Sequence, residues 1–271
     1  MSQSKFKFIL VQGRSLPQIN KSLQYFPVNW KEEFPIIQSL GFTGIEWIYD
    51  KESELTNPIL TKMGRNDMSH FSKKYNVGNI YVKDESPRFG LNAFKVLGAS
   101  YAIHQFLEEK PTIETFCTAT DGNHGRAVAW TAKKFGKKSV VFVPEDTTAI
   151  RIEVIKNEGA KVVQIDGNYD EACQQAENNA NANNWTLIQD TAWEGYIEIP
   201  ALIMSGYLTI FKEIEESLNS VLEPKLDIVF LQAGVGSMAA AGVYYYLNKY
   251  GSKKPNIVIV EPEEADGILH S

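Results

Sequence analysis

The sequence predicts an α/β fold in two domains, built on parallel sheets covered by helices. Three observations predict it. From position 115 onward, short and almost continuously apolar runs alternate with amphipathic helical patterns, the signature of a parallel sheet buried on both faces. Two of the strand-to-helix turns, 120–125 and 232–237, are polar and glycine-rich, and open α/β sheets bind ligands at such turns. With 271 residues, 44% of them hydrophobic, the chain can build one large domain or two ordinary ones.

In chain order, 1–78 carries the weakest patterns. Positions 6–11 read as a short strand, 29–40 and 58–75 as helices, and 51–57 as a polar exposed stretch. A strand-like run at 79–83 leads into a Pro/Gly loop and then a helix over 94–107, with Asn92 a good N-cap type. The alternation then becomes regular. Strands are expected at 115–120, 139–143, 161–165 and 186–188. Helices are expected at 125–135, 148–157 and 169–181, with Gly136 and Gly159 as helix stops and Pro144 closing the strand at 139–143. The Asn-rich run 178–184 reads as a helix end and surface turn. A long helix at 200–218, a strand at 227–231, a helix at 238–250 and a strand at 256–260 complete the pattern.

Composition excludes several classes. The net charge is −6 and the pI about 5.4, with no basic stripe, so no nucleic-acid partner is expected. The longest apolar runs are strand-sized, so no membrane partner is expected. The first residues lack the h-region and cleavage site of a signal peptide, which points to the cytoplasm. Two cysteines, Cys117 and Cys173, read as reduced thiols, and no metal site is expected.

Four groups carry chemistry. Lys95 falls in the first turn of a helix, a poor place for a cation because the helix N-terminus is already partly positive. Such a lysine suits Schiff-base chemistry, although for this stretch alone an ordinary exposed lysine is the better reading. Gly234-Val235-Gly236-Ser237 joins a strand to a helix and reads as a phosphate cradle or as a tight turn. Thr120-Asp121-Gly122-Asn123-His124 offers a carboxylate, an amide and free N–H groups at a sheet edge, or simply a helix cap. Asp190 ends a strand, where catalytic groups gather, or makes an Asx turn.

Four segments occur in order: Ser-Pro-Arg-Phe-Gly-Leu-Asn-Ala-Phe-Lys at 86–95, Ala-Thr-Asp-Gly-Asn-His-Gly-Arg at 119–126, Gln-Asp-Thr-Ala-Trp-Glu-Gly-Tyr at 189–196 and Gln-Ala-Gly-Val-Gly-Ser at 232–237. Together they resemble the diaminopropionate ammonia-lyases, within the fold-type-II (tryptophan synthase β-like) pyridoxal-phosphate family that also holds threonine dehydratase and cysteine synthase. The resemblance implies that Lys95 carries pyridoxal 5'-phosphate as a Schiff base, Asn123 hydrogen-bonds its phenolic oxygen, and Gly234, Val235, Gly236 and Ser237 bind its phosphate. It implies that Thr120, Gly122 and His124 hold the carboxylate of a small amino-acid substrate. Asp121 and Asp190 would be the bases for D- and L-2,3-diaminopropionate, which is converted to pyruvate and ammonia. A small domain over 97–201 and a discontinuous cofactor-binding domain over 1–96 and 202–271 follow, with a homodimer in the full-length form. The family's chains are longer, so the larger domain is expected to be incomplete here. A serine/threonine dehydratase-like or β-replacement enzyme, an inactive truncated homologue and a dinucleotide-binding oxidoreductase using Glu261 remain as alternatives. Asp121, where dehydratases carry serine, weighs against the first.

Overall fold

The structure, a computed structural model, describes residues 9–11, 30–40, 44–46, 61–75, 81, 83–120, 122–219, 226–261 and 267–270. The chain divides into two compact units, Met1–Val82 and Lys83–Ser271.

In the first unit, β1 (Ile9–Val11) pairs in parallel with β2 (Gly44–Glu46). Helix α1 (Glu33–Ser39) and helix α2 (Lys62–Lys74) bring aromatic rings together. Trp30 meets Phe34 at 6.0 Å and Phe71 at 5.9 Å, both edge-on, the geometry that ring quadrupoles favour. Thr61 caps α2, its hydroxyl accepting from the Gly64 amide at 2.9 Å. The stretch 51–57 and most of the run 79–83 lie outside the described residues.

The second unit follows the expected alternation, with ends shifted by a residue or two. In order come α3 (Lys95–Glu109), β3 (Thr115–Ala119), α4 (Asn123–Lys134), β4 (Lys138–Val143), α5 (Ala149–Asn157), β5 (Lys161–Gln164), α6 (Tyr169–Asn183), β6 (Thr186–Leu187), α7 (Glu198–Asn219), β7 (Ile228–Gln232), α8 (Ser237–Tyr250) and β8 (Asn256–Val260). One sheet has the order β5-β4-β3-β6 and the other pairs β7 with β8. All these pairings are parallel. β3 is covered on both faces, and its side chains alternate between them. Phe116 packs with α3, α4 and α7, whereas Cys117 and Ala119 pack against α6. The Asn-rich run is the end of α6, closed by Asn184 in the left-handed region at φ 54°, which asparagine tolerates.

Helices α3 and α7 cross at close range because each carries a glycine at the contact. A Cβ on Gly206 would lie 2.3 Å from the Leu97 carbonyl oxygen, and one on Gly98 would lie 2.6 Å from Ile203 Cγ2. The backbone itself blocks any side chain at Gly206, so Gly206→Ala must push the helices apart. We expect a loss of about 1–3 kcal/mol, read as a lower denaturant midpoint. An unchanged midpoint would mean that the crossing is looser than described.

Candidate active site

The site gathers where β3 and β6 end, beside the first turn of α3. Lys95 opens α3, and the helix is capped by Phe94 without a side-chain hydrogen bond. Asn92 is not the cap, contrary to expectation. It adopts φ 55°, so it turns the chain ahead of the helix instead. Lys95 Nζ donates to Asp190 Oδ2 at 2.5 Å, and the Asp190 side chain is only 3% exposed. A buried carboxylate therefore offsets the unfavourable helix N-terminus at Lys95.

His124 completes a cluster around Asp190. Its Nε2–H donates to the Ile188 carbonyl at 2.8 Å, leaving Nδ1, 3.6 Å from Asp190 Oδ2, without a hydrogen bond. Burial holds the imidazole below its usual pKa despite the neighbouring carboxylate, so the neutral Nε2–H tautomer fits. Burial opposes the Asp190 carboxylate as well, but the attraction of the surrounding cationic groups and the hydrogen bond from Lys95 outweigh it. Asp190 therefore lies below the ordinary carboxylate range against the opposition of burial, through His124 and Lys95 beside it and the hydrogen bond Lys95 donates.

The turn after β3 opens α4. Gly122 is the N-cap, with no side-chain cap bond. The buried Thr120 accepts from the Gly122 amide at 2.9 Å through Oγ1. Gly125 is obligatory for packing, since a Cβ there would lie 2.3 Å from Thr120 Cγ2 and 2.7 Å from Val141 Cγ1. Asn123 is exposed. Asp121 lies outside the described residues.

The turn after β7 reaches the same cluster. Gly236 caps α8 at φ 87°, in the left-handed region where a Cβ is strained. A Cβ on Gly234 would meet nothing within 4 Å. Ser237 Oγ donates to the Asp190 carbonyl at 2.6 Å. The hydroxyl proton is thus committed to the main chain, and the glycine turn is tied to the residue that pairs with Lys95.

Several positioning groups carry no chemical signature in the sequence. The buried Gln189 accepts from Thr118 Oγ1 at 2.9 Å and the Ala119 amide at 3.0 Å, and donates to Tyr169 Oη at 2.9 Å. Tyr196 Oη accepts from the Gln189 amide and donates to the Leu187 carbonyl, both at 2.9 Å. These bonds fix the main chain that leads into Asp190. Arg126 donates to the Leu91 carbonyl at 2.8 Å and to Glu158 at 3.0 Å, tying α4 to the loop before Lys95. In that loop Arg88 bridges Glu85, at 2.7 Å, and Glu213 on α7, at 2.6 Å. Lys83 bonds the same two carboxylates at 3.0 and 2.6 Å. The next residue, Phe89, is held at φ 49°, an unfavourable backbone for an aromatic residue. Its ring stacks on Trp130 at 5.7 Å.

A lysine paired with a buried aspartate, beside a glycine turn at a parallel sheet edge, agrees with the comparisons to known proteins. A family model described as "pyridoxal-phosphate dependent enzyme" matches residues 64–271. The chain belongs to that family. It is 42% identical over 239 residues to the diaminopropionate ammonia-lyase of Salmonella typhimurium, covering 80% of this chain and 59% of that protein. It is 42% identical, at a TM-score of 0.67, to the diaminopropionate ammonia-lyase of Escherichia coli solved with an aminoacrylate-PLP azomethine intermediate, covering 69% of this chain and 51% of that one. Threonine deaminase isoform 2 of Solanum lycopersicum, 23% identical, shares the fold at a TM-score of 0.58 over 70% of this chain. The fold is that of the fold-type-II pyridoxal-phosphate enzymes. The chain spans between half and three fifths of the two ammonia-lyases.

Proposed function

We propose that this chain forms the lysine-bearing part of a 2,3-diaminopropionate ammonia-lyase, which eliminates the β-amine and, with one water, releases pyruvate and two ammonia molecules. The observation that carries the reading is the pairing of Lys95 with the buried Asp190, joined through Ser237 to the glycine turn. The residues fit pyridoxal phosphate on their own geometry. Lys95 offers the amine, and the space beside Gly234 and the outward first-turn amides of α8 suit a phosphate. Asn123 is the candidate partner of the phenolic oxygen.

When bound, the cofactor supplies an electron sink for the charge left as Cα loses its proton. Asp190, ionised and buried, is the group that takes the proton from the L enantiomer, and Asp121 is assigned the same task for the D enantiomer. Thr120, Gly122 and His124 are assigned to the substrate carboxylate. For His124 the buried Nδ1 facing Asp190 favours a role through that aspartate. In the domain reading, 97–201 forms the smaller domain, supported by the four-stranded sheet lying within it, and 1–96 with 202–271 forms the larger. A cytoplasmic homodimer of the longer form completes the reading, and light scattering of that form tests the dimer.

The test of the site is chemical. Borohydride reduction in the presence of pyridoxal phosphate, followed by peptide mapping, is expected to mark Lys95, and Lys95→Ala to abolish the mark. A mark on Lys83 or another lysine would overturn the assignment.

A further inference from the structure

One acidic side chain at the edge of the glycine turn has no part in the reading above. β8 ends beside the turn, since the Ala233 amide donates to the Val260 carbonyl at 3.0 Å. Glu261 is the next residue. Its Oε1 accepts from the Ile268 amide at 2.9 Å and its Oε2 from the Leu269 amide at 3.1 Å. One carboxylate thus holds two consecutive main-chain donors, and hydrogen bonds to an ionised acceptor are the strong kind. The held turn, 267–270, lies against the glycine turn. Ile268 Cδ1 is 3.5 Å, and Cγ1 3.9 Å, from the position a Cβ on Gly236 would take.

From this geometry we infer that Glu261 is a positioning residue for the phosphate cradle. It pins the 267–270 turn so that Ile268 walls the mouth of α8. Ile268 is 37% exposed, so its effect is steric: it packs beside Gly236 and holds the glycine turn, and with it the first amides of α8, in place. Gly236 then serves two ends. Its positive φ shapes the turn, and its bare Cα leaves room for Ile268. The role is positional, because Glu261 meets the phosphate only through other residues. It also gives this carboxylate a task other than the ribose contact of a dinucleotide site.

The inference rests on the cofactor reading, and the experiment separates the two. The full chain is titrated with pyridoxal phosphate and with pyridoxal, which lacks the phosphate, following absorbance. Wild type, Glu261→Ala, Glu261→Gln and Ile268→Ala are compared, with the melting temperature of the cofactor-free protein as the folding control. Glu261→Ala is expected to weaken pyridoxal phosphate by about tenfold, the scale of one hydrogen bond to a charged group, and to leave pyridoxal unchanged. Glu261→Gln, which keeps one acceptor oxygen, should fall between, and Ile268→Ala should move in the same direction as Glu261→Ala. A wild type with no spectral response would overturn the cofactor reading and this inference with it. A responding wild type with an unaltered Glu261→Ala would overturn the inference alone. So would equal losses for both ligands, or a melting temperature lowered in step with affinity, since either makes Glu261 a general support of the fold.

Discussion

Asp190→Asn is expected to lower kcat/KM for L-2,3-diaminopropionate by about 10²–10⁴-fold, the usual cost of removing a positioned base. The carboxylate is buried, yet its pKa is held below the usual carboxylate range, because its cationic surroundings and the hydrogen bond from Lys95 outweigh desolvation. It is therefore ionised and able to accept a proton at neutral pH. Asparagine keeps the shape and the main-chain bond from Ser237 but cannot take the proton. The D enantiomer should lose less, and Asp121→Asn should show the opposite preference. The measurement is kcat/KM for both enantiomers on both variants in a catalytically active form of the enzyme, with cofactor absorbance as the folding control. Equal losses on both enantiomers from each substitution would sink the two-base assignment.

Arg88→Gln is expected to destabilise the protein by about 2–3 kcal/mol, somewhat under the cost of breaking a fully buried pair because Glu213 remains partly exposed. The substitution leaves Glu85 and Glu213 facing each other with Lys83 as their shared cation. The loop that carries Phe89 and leads to Lys95 then keeps only the Lys83 bridge to α7. The pH dependence follows from Glu213, whose pKa is pulled down to about 2, chiefly by the hydrogen bond from Arg88 against the opposing effect of burial. A carboxylate with a depressed folded-state pKa adds stability that is present above the unfolded value of about 4.5 and is lost as pH falls toward the folded value. Wild type should therefore lose stability as pH drops from about 4.5 toward about 2, and Arg88→Gln should lose less over that interval. Denaturant midpoints from pH 6 to pH 3 check both statements. Parallel pH curves for the two proteins would remove this cluster from the account.

Much of the second unit was legible because its signals are local. β4, β7 and β8 are runs of adjacent apolar residues, and their alternation with helices implies parallel pairing before any contact is known. The turns at 120–125 and 232–237 announce themselves by glycine and polar residues between a strand and a helix. The start of α3 was less legible. Asn92 is a favoured cap type, but here the chain ahead of Lys95 is set by Arg88, Phe89 and the contact with Leu91 from Arg126, and the asparagine is used for its tolerance of positive φ.

The sequence by itself determined the order of the elements from 95 onward, their parallel pairing, the family and the lysine, aspartate and glycine-turn residues proposed for the site, but not β2. Only the tertiary structure decided what each group does with its neighbours. Lys95 and Asp190 are 95 positions apart, and Arg88 and Glu213 are 125 apart. No local pattern links such residues, because hydrophobic periodicity reports which face is buried and not which charge lies across the interface. The same holds for the commitment of Ser237 to the Asp190 carbonyl and of Glu261 to the amides of Ile268 and Leu269. A side chain's donors and acceptors are known from its type, but their partners are set by where folding brings distant main chain to rest.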